Sequence, residues 1–479
     1  MTGRPTCLHD VVRRANADAP ALISGERTMS FGELGAAIDR AAAWLAERTE
    51  PGARVALLGP NSIDYVVLLY AIPAAGRIAV PLNTRLADPE LATLLADAGA
   101  TLLLTDPTLA HREFDVATED IAEPTAAVCE APVADHGPAS PDDIAWLIFT
   151  SGTTGAPKGA MLTHGSLLAA SAAGGDARAV GADDVYLFPF PLFHVAAFNV
   201  VMVHDAGGPV VVLPGFDADR VFDACARHGV TQMSLAPTML AMLFDHPRWR
   251  PGALGATRVI GYGAAPMPLP MLERVLTETE IGLSQGYGMT ELSGNAVYLD
   301  AAQHRSAASD APHLLGAAGV PAGANEVRIA DDGEILVRGP QVMAGYWNRP
   351  ELTAETIVDG WLHTGDIGRI DADGVLHVID RKKDIIITGG ENVASRQVED
   401  ALRSHPAVAA AAVIGEPDER WGEAVVGVVV SAGADADEAE LIAHVRAQLA
   451  GYKTPKRIRF VDALPLNASG KVDKTQLRG

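Results

Sequence analysis

Between about residues 54 and 286, short apolar runs rich in β-branched residues alternate with segments of helical periodicity. We predict strands at residues 55–58, 102–105, 146–149, 210–213, 232–235 and 258–261. Uniformly apolar strands of this kind are buried on both faces, and their alternation with helices indicates an α/β fold. One helix has clear predicted ends, because Asp217 can cap its start and Gly229 can terminate it.

The pattern changes after about Gly316. Residues 327–329 and 335–337 are joined by an Asp-Asp-Gly turn typical of a hairpin, and residues 384–479 contain helical and strand patterns of their own. A chain of 479 residues is also too long for a single core. We therefore predict an N-terminal domain over residues 1–380, with two α/β subdomains and a β subdomain, a hinge at 381–383, and a small mobile α+β domain over 384–479.

The composition restricts the classes of partner. With 37 basic and 60 acidic residues, the net charge of −23 repels nucleic acid and anionic membrane surfaces. The apolar runs are shorter than the roughly 20 residues that span a bilayer, and the N-terminus lacks the order of a secretory signal. The three cysteines lie far apart with no CxxC spacing, which favours neither disulfides nor a zinc site. We expect a cytoplasmic protein without integral membrane association.

Residues 150–159, TSGTTGAPKG, directly follow the predicted strand at 146–149. Hydroxyls, glycine backbone N–H groups and one ammonium group can together surround phosphate oxygens. The spacing is not that of the P-loop of kinases, because glycine follows the lysine. On its own, a loop rich in glycine and hydroxyl residues is a flexible turn about as often as it is a phosphate-binding loop. The candidate phosphate-binding residues are Thr150, Ser151, Gly152, Thr153, Thr154 and Lys158.

Further motifs follow along the chain: GYGAAP at 261–266, QGYGMTE at 285–291, WLHTGD at 361–366, DRKKD at 380–384 and PLNASGK at 465–471. In this order and spacing they resemble the adenylate-forming superfamily of acyl-CoA synthetases, nonribosomal adenylation domains and luciferases, and are most similar to acyl-CoA ligases. The resemblance implies an AMP-forming acid–thiol ligase that requires ATP, Mg²⁺ and coenzyme A. The enzyme would convert a carboxylic acid to acyl-AMP, release pyrophosphate and transfer the acyl group to coenzyme A.

The resemblance also implies roles for individual residues. Glu291, beside Thr290, would bind Mg²⁺ and the α-phosphate, and Lys471 would bridge the substrate carboxylate and that phosphate. Tyr287 would stack on adenine, Asp366 and Arg381 would bind the ribose, and Lys383 would mark the hinge. The other nucleotide-binding candidates are Gly263, Ala264, Ala265, Gln285, Gly286, Gly288 and Met289.

Two regions bear on the acyl group and its acceptor. His194 lies where the family often has a gate between the acyl and nucleotide pockets, although it could equally be a core histidine. Gly389 and Gly390 are expected to face the thiol, but the aromatic or serine residue and the proline that often follow them are absent. Lys453, Lys456 and Arg457 could contact the phosphates of coenzyme A or simply form a solvated charged face.

The positions expected around the acid are mostly apolar or small, and none is arginine or lysine. They are Val195, Ala196, Ala197, Phe198, Asn199, Ile260, Gly261, Ala265, Leu292 and Ser293. We therefore expect a hydrophobic monocarboxylic acid, either aromatic or medium-chain, because a second buried carboxylate would lack a partner. Two alternatives stay open: an adenylation or thioester-forming enzyme that loads a phosphopantetheine carrier protein, and a non-catalytic acyl-adenylate or nucleotide sensor. The pattern does not indicate the oligomeric state.

Overall fold

The computed structural model describes residues 5–127, 139–150, 157–263, 267–389, 391–418, 420–433, 437–467 and 471–478. Its α-helices are α1 (Leu8–Arg14), α2 (Phe31–Arg48), α3 (Ile63–Ala74), α4 (Asp88–Ala98), α5 (Glu123–Ala126), α6 (His164–Arg178), α7 (Phe198–Asp205), α8 (Ala218–His228), α9 (Pro237–Phe244), α10 (Leu269–Glu278), α11 (Ala301–Ala307), α12 (Pro350–Thr356), α13 (Ser395–Arg403), α14 (Glu438–Gln448) and α15 (Lys474–Leu477).

The β-strands are β1 (Pro20–Ser24), β2 (Arg27–Ser30), β3 (Arg54–Leu58), β4 (Ile78–Pro81), β5 (Ala100–Thr105), β6 (Ala117–Asp120), β7 (Ile144–Thr150), β8 (Lys158–Thr163), β9 (Tyr186–Phe188), β10 (Val210–Val212), β11 (Gln232–Leu235), β12 (Val259–Gly263), β13 (Gly282–Met289), β14 (Gly294–Leu299), β15 (Val320–Pro321), β16 (Glu326–Ile329), β17 (Glu334–Arg338), β18 (Gly345–Tyr346), β19 (Ile357–Val358), β20 (Trp361–Ile370), β21 (Leu376–Arg381), β22 (Ile385–Thr388), β23 (Glu391–Ala394), β24 (Val408–Asp418), β25 (Gly422–Ser431) and β26 (Arg457–Phe460).

Two large sheets contain the strands predicted from the apolar runs. A seven-stranded sheet has the order β18-β8-β7-β4-β3-β5-β6, and a nine-stranded sheet has the order β15-β14-β13-β12-β11-β9-β10-β1-β2. Their central strands pair in parallel, whereas β8 and β14 pair antiparallel to β7 and β13. The predicted strands correspond to β3, β5, β7, β10, β11 and β12, so the predicted α/β fold is confirmed.

Helix α8 shows how local sequence fixes an element. The Asp217 side chain accepts a hydrogen bond from the Arg220 backbone N–H at 2.9 Å, and Gly229 ends the helix in the left-handed conformation. Val221, Phe222 and Cys225 lie on one helical face and pack in the core of the nine-stranded sheet. Both predicted helix ends are confirmed.

Two five-stranded sheets follow in the chain. One has the order β16-β17-β20-β19 with β21 paired to β20, and β16 and β17 are hydrogen-bonded neighbours as the Asp-Asp-Gly turn predicts. The other has the order β23-β22-β25-β24 with β26 paired to β25, and it packs with α13 and α14 around Val398, Leu402 and Leu441. The C-terminal region therefore contains both helices and strands, as predicted.

Internal contacts divide the chain into two compact units. One contains Met1–Val327 and Val337–Leu362, and the other contains Arg328–Leu336 and His363–Gly479. A division by contacts does not locate a hinge, so the boundaries at 380 and 384 stay predictions. Among the described helices, none combines the length and hydropathy needed to cross a membrane.

Candidate active site

The ends of the predicted phosphate loop are held by a strand pair. Thr150 is the last residue of β7 and Lys158 is the first of β8, and the two are register partners in the antiparallel pairing. The Thr150 hydroxyl donates to the Lys158 carbonyl oxygen at 3.5 Å. Both side chains thus start from fixed backbone positions. The other predicted phosphate-binding residues lie outside the described residues: Ser151, Gly152, Thr153 and Thr154.

Tyr346 connects the lysine of this loop to the predicted metal ligand. Strand β18 pairs with β8, which places the Tyr346 ring centroid 5.3 Å from the Lys158 Nζ atom. The Tyr346 hydroxyl donates to Glu291 Oε1 at 2.7 Å. Burial, followed by the charge of Glu291, raises the pKa of Tyr346, so the phenol remains a neutral donor. Sequence reasoning did not predict this tyrosine.

Thr290 and Glu291 lie at the end of β13, where close backbone packing requires glycine. A Cβ atom at Gly286 would lie 2.2 Å from Asn295 Nδ2, and one at Gly288 would lie 2.0 Å from the Gly294 carbonyl oxygen. After Met289, one 3₁₀ turn over Thr290–Leu292 carries both polar side chains away from the strand. The predicted glycines therefore allow the hairpin that positions Glu291.

The predicted adenine segment occupies the adjacent ends of β12 and β13. Gly263 and Gly286 are register partners in this parallel pair, and Ala264 and Ala265 lie outside the described residues. Gln285 accepts a 3.0 Å hydrogen bond from the buried Tyr262 hydroxyl. This bond anchors the strand before Tyr287, which is half-buried, as are Met289 and Thr290. An aromatic face beside glycine backbone fits the predicted adenine contact.

His194 directly precedes a 3₁₀ turn over Val195–Ala197. Its ring centroid lies 4.3 Å from that of Phe193, and the residue is half-buried. By contrast, His164, His204 and His304 are fully buried. This half-exposed position favours the gate over the core-histidine alternative, although the gate remains a prediction.

The predicted ribose ligands belong to the second unit and are cross-strand partners. Asp366 on β20 pairs with Arg381 on β21, and Arg381 Nε lies 3.5 Å from Asp366 Oδ1. Asp366 is only 7% exposed, whereas Arg381 is exposed. A β-bulge follows at once, because Ile367 pairs with Asp380 but Gly368 pairs with Val378. The carboxylate and the guanidinium group therefore extend from one sheet.

Side-chain contacts surround the predicted hinge. Asp380 accepts from the Ser395 hydroxyl at 2.7 Å, and Asp384 forms a 2.9 Å ion pair with Arg478. Between them, burial lowers the pKa of Lys383, while Lys382 pairs with Glu334 at 3.0 Å. The segment on both sides of Lys383 is thus anchored within the second unit.

The predicted catalytic lysine lies on a short, locally bonded turn. Leu466 and Val472 form an isolated antiparallel bridge, the Asn467 N–H donates to the Lys471 carbonyl at 2.8 Å, and the Lys471 N–H donates to Asn467 Oδ1 at 3.0 Å. Lys471 is exposed. These bonds fix the backbone of the turn while leaving the long side chain at the surface of its unit.

Gly389 has a left-handed backbone (φ +60°), and its N–H donates to the Trp421 carbonyl at 2.7 Å. A Cβ atom at this position would lie 3.1 Å from the Trp421 ring, so the glycine fits a restricted position. Gly390 lies outside the described residues.

The region expected to bind the acid contains a basic side chain that the sequence pattern did not predict. Asn199 is buried at the start of α7, and Leu292 and Ser293 are fully buried. Arg178, the last residue of α6, donates to Asn199 Oδ1 at 3.4 Å. No helical or strand pattern signalled this residue, because its partners lie on elements far away in the sequence.

Comparison with protein families assigns the class. Residues 8–347 match the AMP-binding enzymes, and residues 397–471 match the AMP-binding enzyme C-terminal domain. The two large α/β sheets and the smaller C-terminal sheet are thus the framework of a nucleotide-binding enzyme. The chain belongs to the AMP-binding enzyme family, which confirms the superfamily predicted from the motifs.

Similar proteins extend over nearly the whole chain. A feruloyl-CoA synthase from an Amycolatopsis species is 41% identical over 98% of this chain and 97% of its own length. An indoleacetate–CoA ligase from Aromatoleum aromaticum is 37% identical, covering 95% and 93%. The o-succinylbenzoate CoA synthetase from Bacillus subtilis, in complex with its acyl-adenylate intermediate, has a TM-score of 0.89 at 34% identity and covers 100% and 99%.

The same Bacillus enzyme has also been solved with ATP and a magnesium ion, at a TM-score of 0.88 and 33% identity over 99% of this chain and 100% of its own. The family and its relatives confirm the predicted activity as an ATP-dependent, AMP-forming acyl-CoA ligase that uses ATP, Mg²⁺ and coenzyme A.

Proposed function

We propose that this ligase activates an aromatic carboxylic acid as its acyl-adenylate and transfers the acyl group to coenzyme A. The observation that carries the catalytic part is the Lys158, Tyr346 and Glu291 arrangement at the end of the phosphate loop. In this arrangement one tyrosine contacts both the ammonium group at the end of the loop and the carboxylate that it orients. The aromatic class is supported by the similar proteins named for ferulate and indoleacetate.

Glu291 is the proposed Mg²⁺ ligand. Among the described residues, no group of three or more His, Cys, Asp or Glu side chains could hold a metal ion. Mg²⁺ usually binds one or two carboxylates together with substrate phosphates and water, so a single carboxylate fits this metal. Bound Mg²⁺ would neutralise phosphate charge. Tyr346 would keep the carboxylate oriented while Thr290 and Lys158 donate to phosphate oxygens.

The nucleoside is assigned to two groups of residues. Tyr287 and the backbone at Gly263 would contact adenine, with Gln285 held in place by Tyr262. Asp366 would accept hydrogen bonds from the ribose hydroxyls, and Arg381 would donate to the same sugar. Since both ribose ligands extend from paired strands, they would approach the sugar as a preformed pair.

Residues 384–479 are proposed to form a lid that turns about Lys383 and serves two half-reactions. In the first, Lys471 stabilises the negative charge between the substrate carboxylate and the α-phosphate. In the second, the face containing Gly389 and Gly390 admits the thiol. Hinged lids of this kind complete a catalytic site when they close.

Free coenzyme A is the proposed acceptor, and the cytoplasm is the proposed location. The test is ATP–pyrophosphate exchange over a panel of aromatic and medium-chain acids, followed by thioester detection with coenzyme A or a phosphopantetheinylated carrier protein. Exchange with an aromatic acid and thioester with coenzyme A are expected. Thioester on the carrier alone would replace the acceptor assignment, and preferential exchange with octanoate would replace the acid class. Nucleotide binding without any exchange would indicate a sensor instead.

A further inference from the structure

Arg178 is a charged side chain buried without a carboxylate. The residue is 5% exposed, and among the described residues no Asp or Glu forms an ion pair with it. Its Nε atom is buried and has no hydrogen-bond partner. Burying an arginine costs free energy unless its charge is compensated, so this arrangement needs a reason.

The groups around Arg178 are neutral and polar. Nη1 donates to Ser234 Oγ at 2.9 Å, and Nη2 donates to the Met233 carbonyl at 3.0 Å. The guanidinium carbon lies 5.3 Å from the Tyr186 ring centroid, and the Tyr186 hydroxyl donates to the same Ser234 oxygen at 2.7 Å. These contacts orient the guanidinium group without neutralising it, which leaves it suited to a further oxygen acceptor.

A second tyrosine, Tyr298, interacts electrostatically with the charge of Arg178. Tyr298 is buried, and burial raises its pKa to about 12 even though the charge of Arg178 opposes the shift. The phenol therefore stays neutral at physiological pH and cannot serve as the missing anion.

The guanidinium group occupies side-chain space on strand β12. Gly261 has no side chain, and a Cβ atom there would lie 2.9 Å from both the guanidinium carbon and Nη1 of Arg178. Position 263, two residues further along β12, faces the same side of the sheet as position 261, because side chains alternate along a strand. The two positions are roughly 7 Å apart, so the guanidinium group lies about that far along β12 from the backbone proposed to contact adenine.

We propose that Arg178, oriented by Ser234 and Asn199, recognises an oxygen acceptor at the end of the acid remote from the reacting carboxylate. A second carboxylate and a phenolic oxygen share this chemistry. The inference rests on the proposed function and refines it: the acid is aromatic along its length but has a polar far end. From the sequence, an acid with a second carboxylate was not expected, because no arginine or lysine was predicted around the acid. The guanidinium group of Arg178 supplies that partner.

The wild-type enzyme provides the first test, with acids of one length that differ only at the far end. In ATP–pyrophosphate exchange, 4-hydroxycinnamate or 4-carboxycinnamate is expected to have a kcat/KM about 10- to 100-fold above that of 4-methylcinnamate. Whichever of these two acids has the higher kcat/KM shows whether the oxygen that Arg178 recognises is phenolic or part of a carboxylate. An equal or higher value for 4-methylcinnamate overturns the inference but leaves the proposed function intact, whereas no exchange with any acid rejects the proposed function.

The second test is Arg178→Met, which keeps an unbranched apolar stem and removes the charge. The ratio of kcat/KM between the oxygen-bearing acid and 4-methylcinnamate is expected to fall to near one. A purely structural arginine would lower both values together and leave the ratio unchanged, which overturns the inference. If this variant does not fold, Ser234→Ala is expected to reduce the same ratio several-fold.

Arg258→Met is the matched control. Arg258 also bonds the end of α6, through the Ala179 carbonyl at 2.8 Å, but its charge is paired with Asp184. Its replacement is expected to lower the melting temperature while leaving the ratio between the acids unchanged. A ratio that changes equally in both arginine variants would attribute the effect to helix packing and contradict the proposal.

Discussion

The Tyr346 hydroxyl donates a 2.7 Å hydrogen bond to Oε1 of Glu291, although the two residues lie 55 positions apart in the chain. The bond orients the proposed magnesium ligand through a neutral donor. A hydrogen bond to a charged group contributes roughly 1.5–3 kcal/mol, so its loss has a measurable effect on the reaction.

Tyr346→Phe is therefore expected to reduce kcat/KM for MgATP at least 10-fold, because the carboxylate loses its orienting donor. The measurement is pyrophosphate exchange at varied Mg²⁺ and ATP concentrations. Tyr65→Phe is the control, since the Tyr65 hydroxyl is buried without a hydrogen-bond partner and its removal is expected to leave the rate unchanged. Equal rates in the two variants would contradict the role given to Tyr346.

Lys471→Ala is expected to abolish acyl-adenylate formation while leaving thioester formation from a supplied acyl-adenylate largely intact. The reason is that the ammonium group would stabilise charge in the first half-reaction only. Both half-reactions can be followed separately, by pyrophosphate exchange and by thioester release. Equal loss of both in a folded variant would reject the division of labour.

Lys474→Met is expected to act on stability rather than on chemistry. The Lys474 ammonium group lies 2.7 Å from Glu399 Oε1 and donates to the Ser395 hydroxyl at 2.6 Å, and both charged side chains are largely buried. Removing one partner of a buried pair costs about 3 kcal/mol. Urea unfolding should show this loss, and adding Glu399→Gln should restore part of it. An unchanged unfolding midpoint would show that the pair is not stabilising.

Stability is expected to fall as the pH is lowered from about 6.5 to about 4. Burial lowers the pKa of His164, His204 and His304 to about 4, whereas the unfolded chain binds these protons near 6.5. Within that window the unfolded state binds more protons, so each histidine reduces the free energy of unfolding by about 1.4 kcal/mol per pH unit. Urea titrations at several pH values measure the slope, and His204→Gln should reduce it.

Much of the fold could be predicted because its signals are local. Apolar runs identified the central strands of both large sheets, and the cap at Asp217 and the glycine at 229 located helix α8. The nucleotide motifs likewise lie in short stretches of chain, such as the glycines that allow β13 and β14 to approach each other.

The roles proposed for Tyr346 and Arg178 could not be predicted in this way, because they depend on contacts with residues far away in the sequence. Tyr346 reaches Glu291 only because β18 pairs with β8, and Arg178 reaches Ser234 across 56 residues of chain. Neither residue lies in a periodic or punctuated pattern that would have distinguished it from an ordinary core or surface residue.

The bulge in β21 has a consequence for which side chains share a face of the sheet. Ile379 is the extra residue, since Val378 and Asp380 pair with the consecutive residues Gly368 and Ile367. Side chains alternate along a strand, so removing Ile379 would shift Arg381 by one position relative to the preceding part of β21. If that part kept its pairing, Arg381 would still lie opposite Asp366, because Val378 would be followed directly by Asp380 opposite Ile367 and then by Arg381. The extra residue therefore alters the local twist and bend of β21, whereas the common face of the two proposed sugar ligands comes from the pairing of β21 with β20.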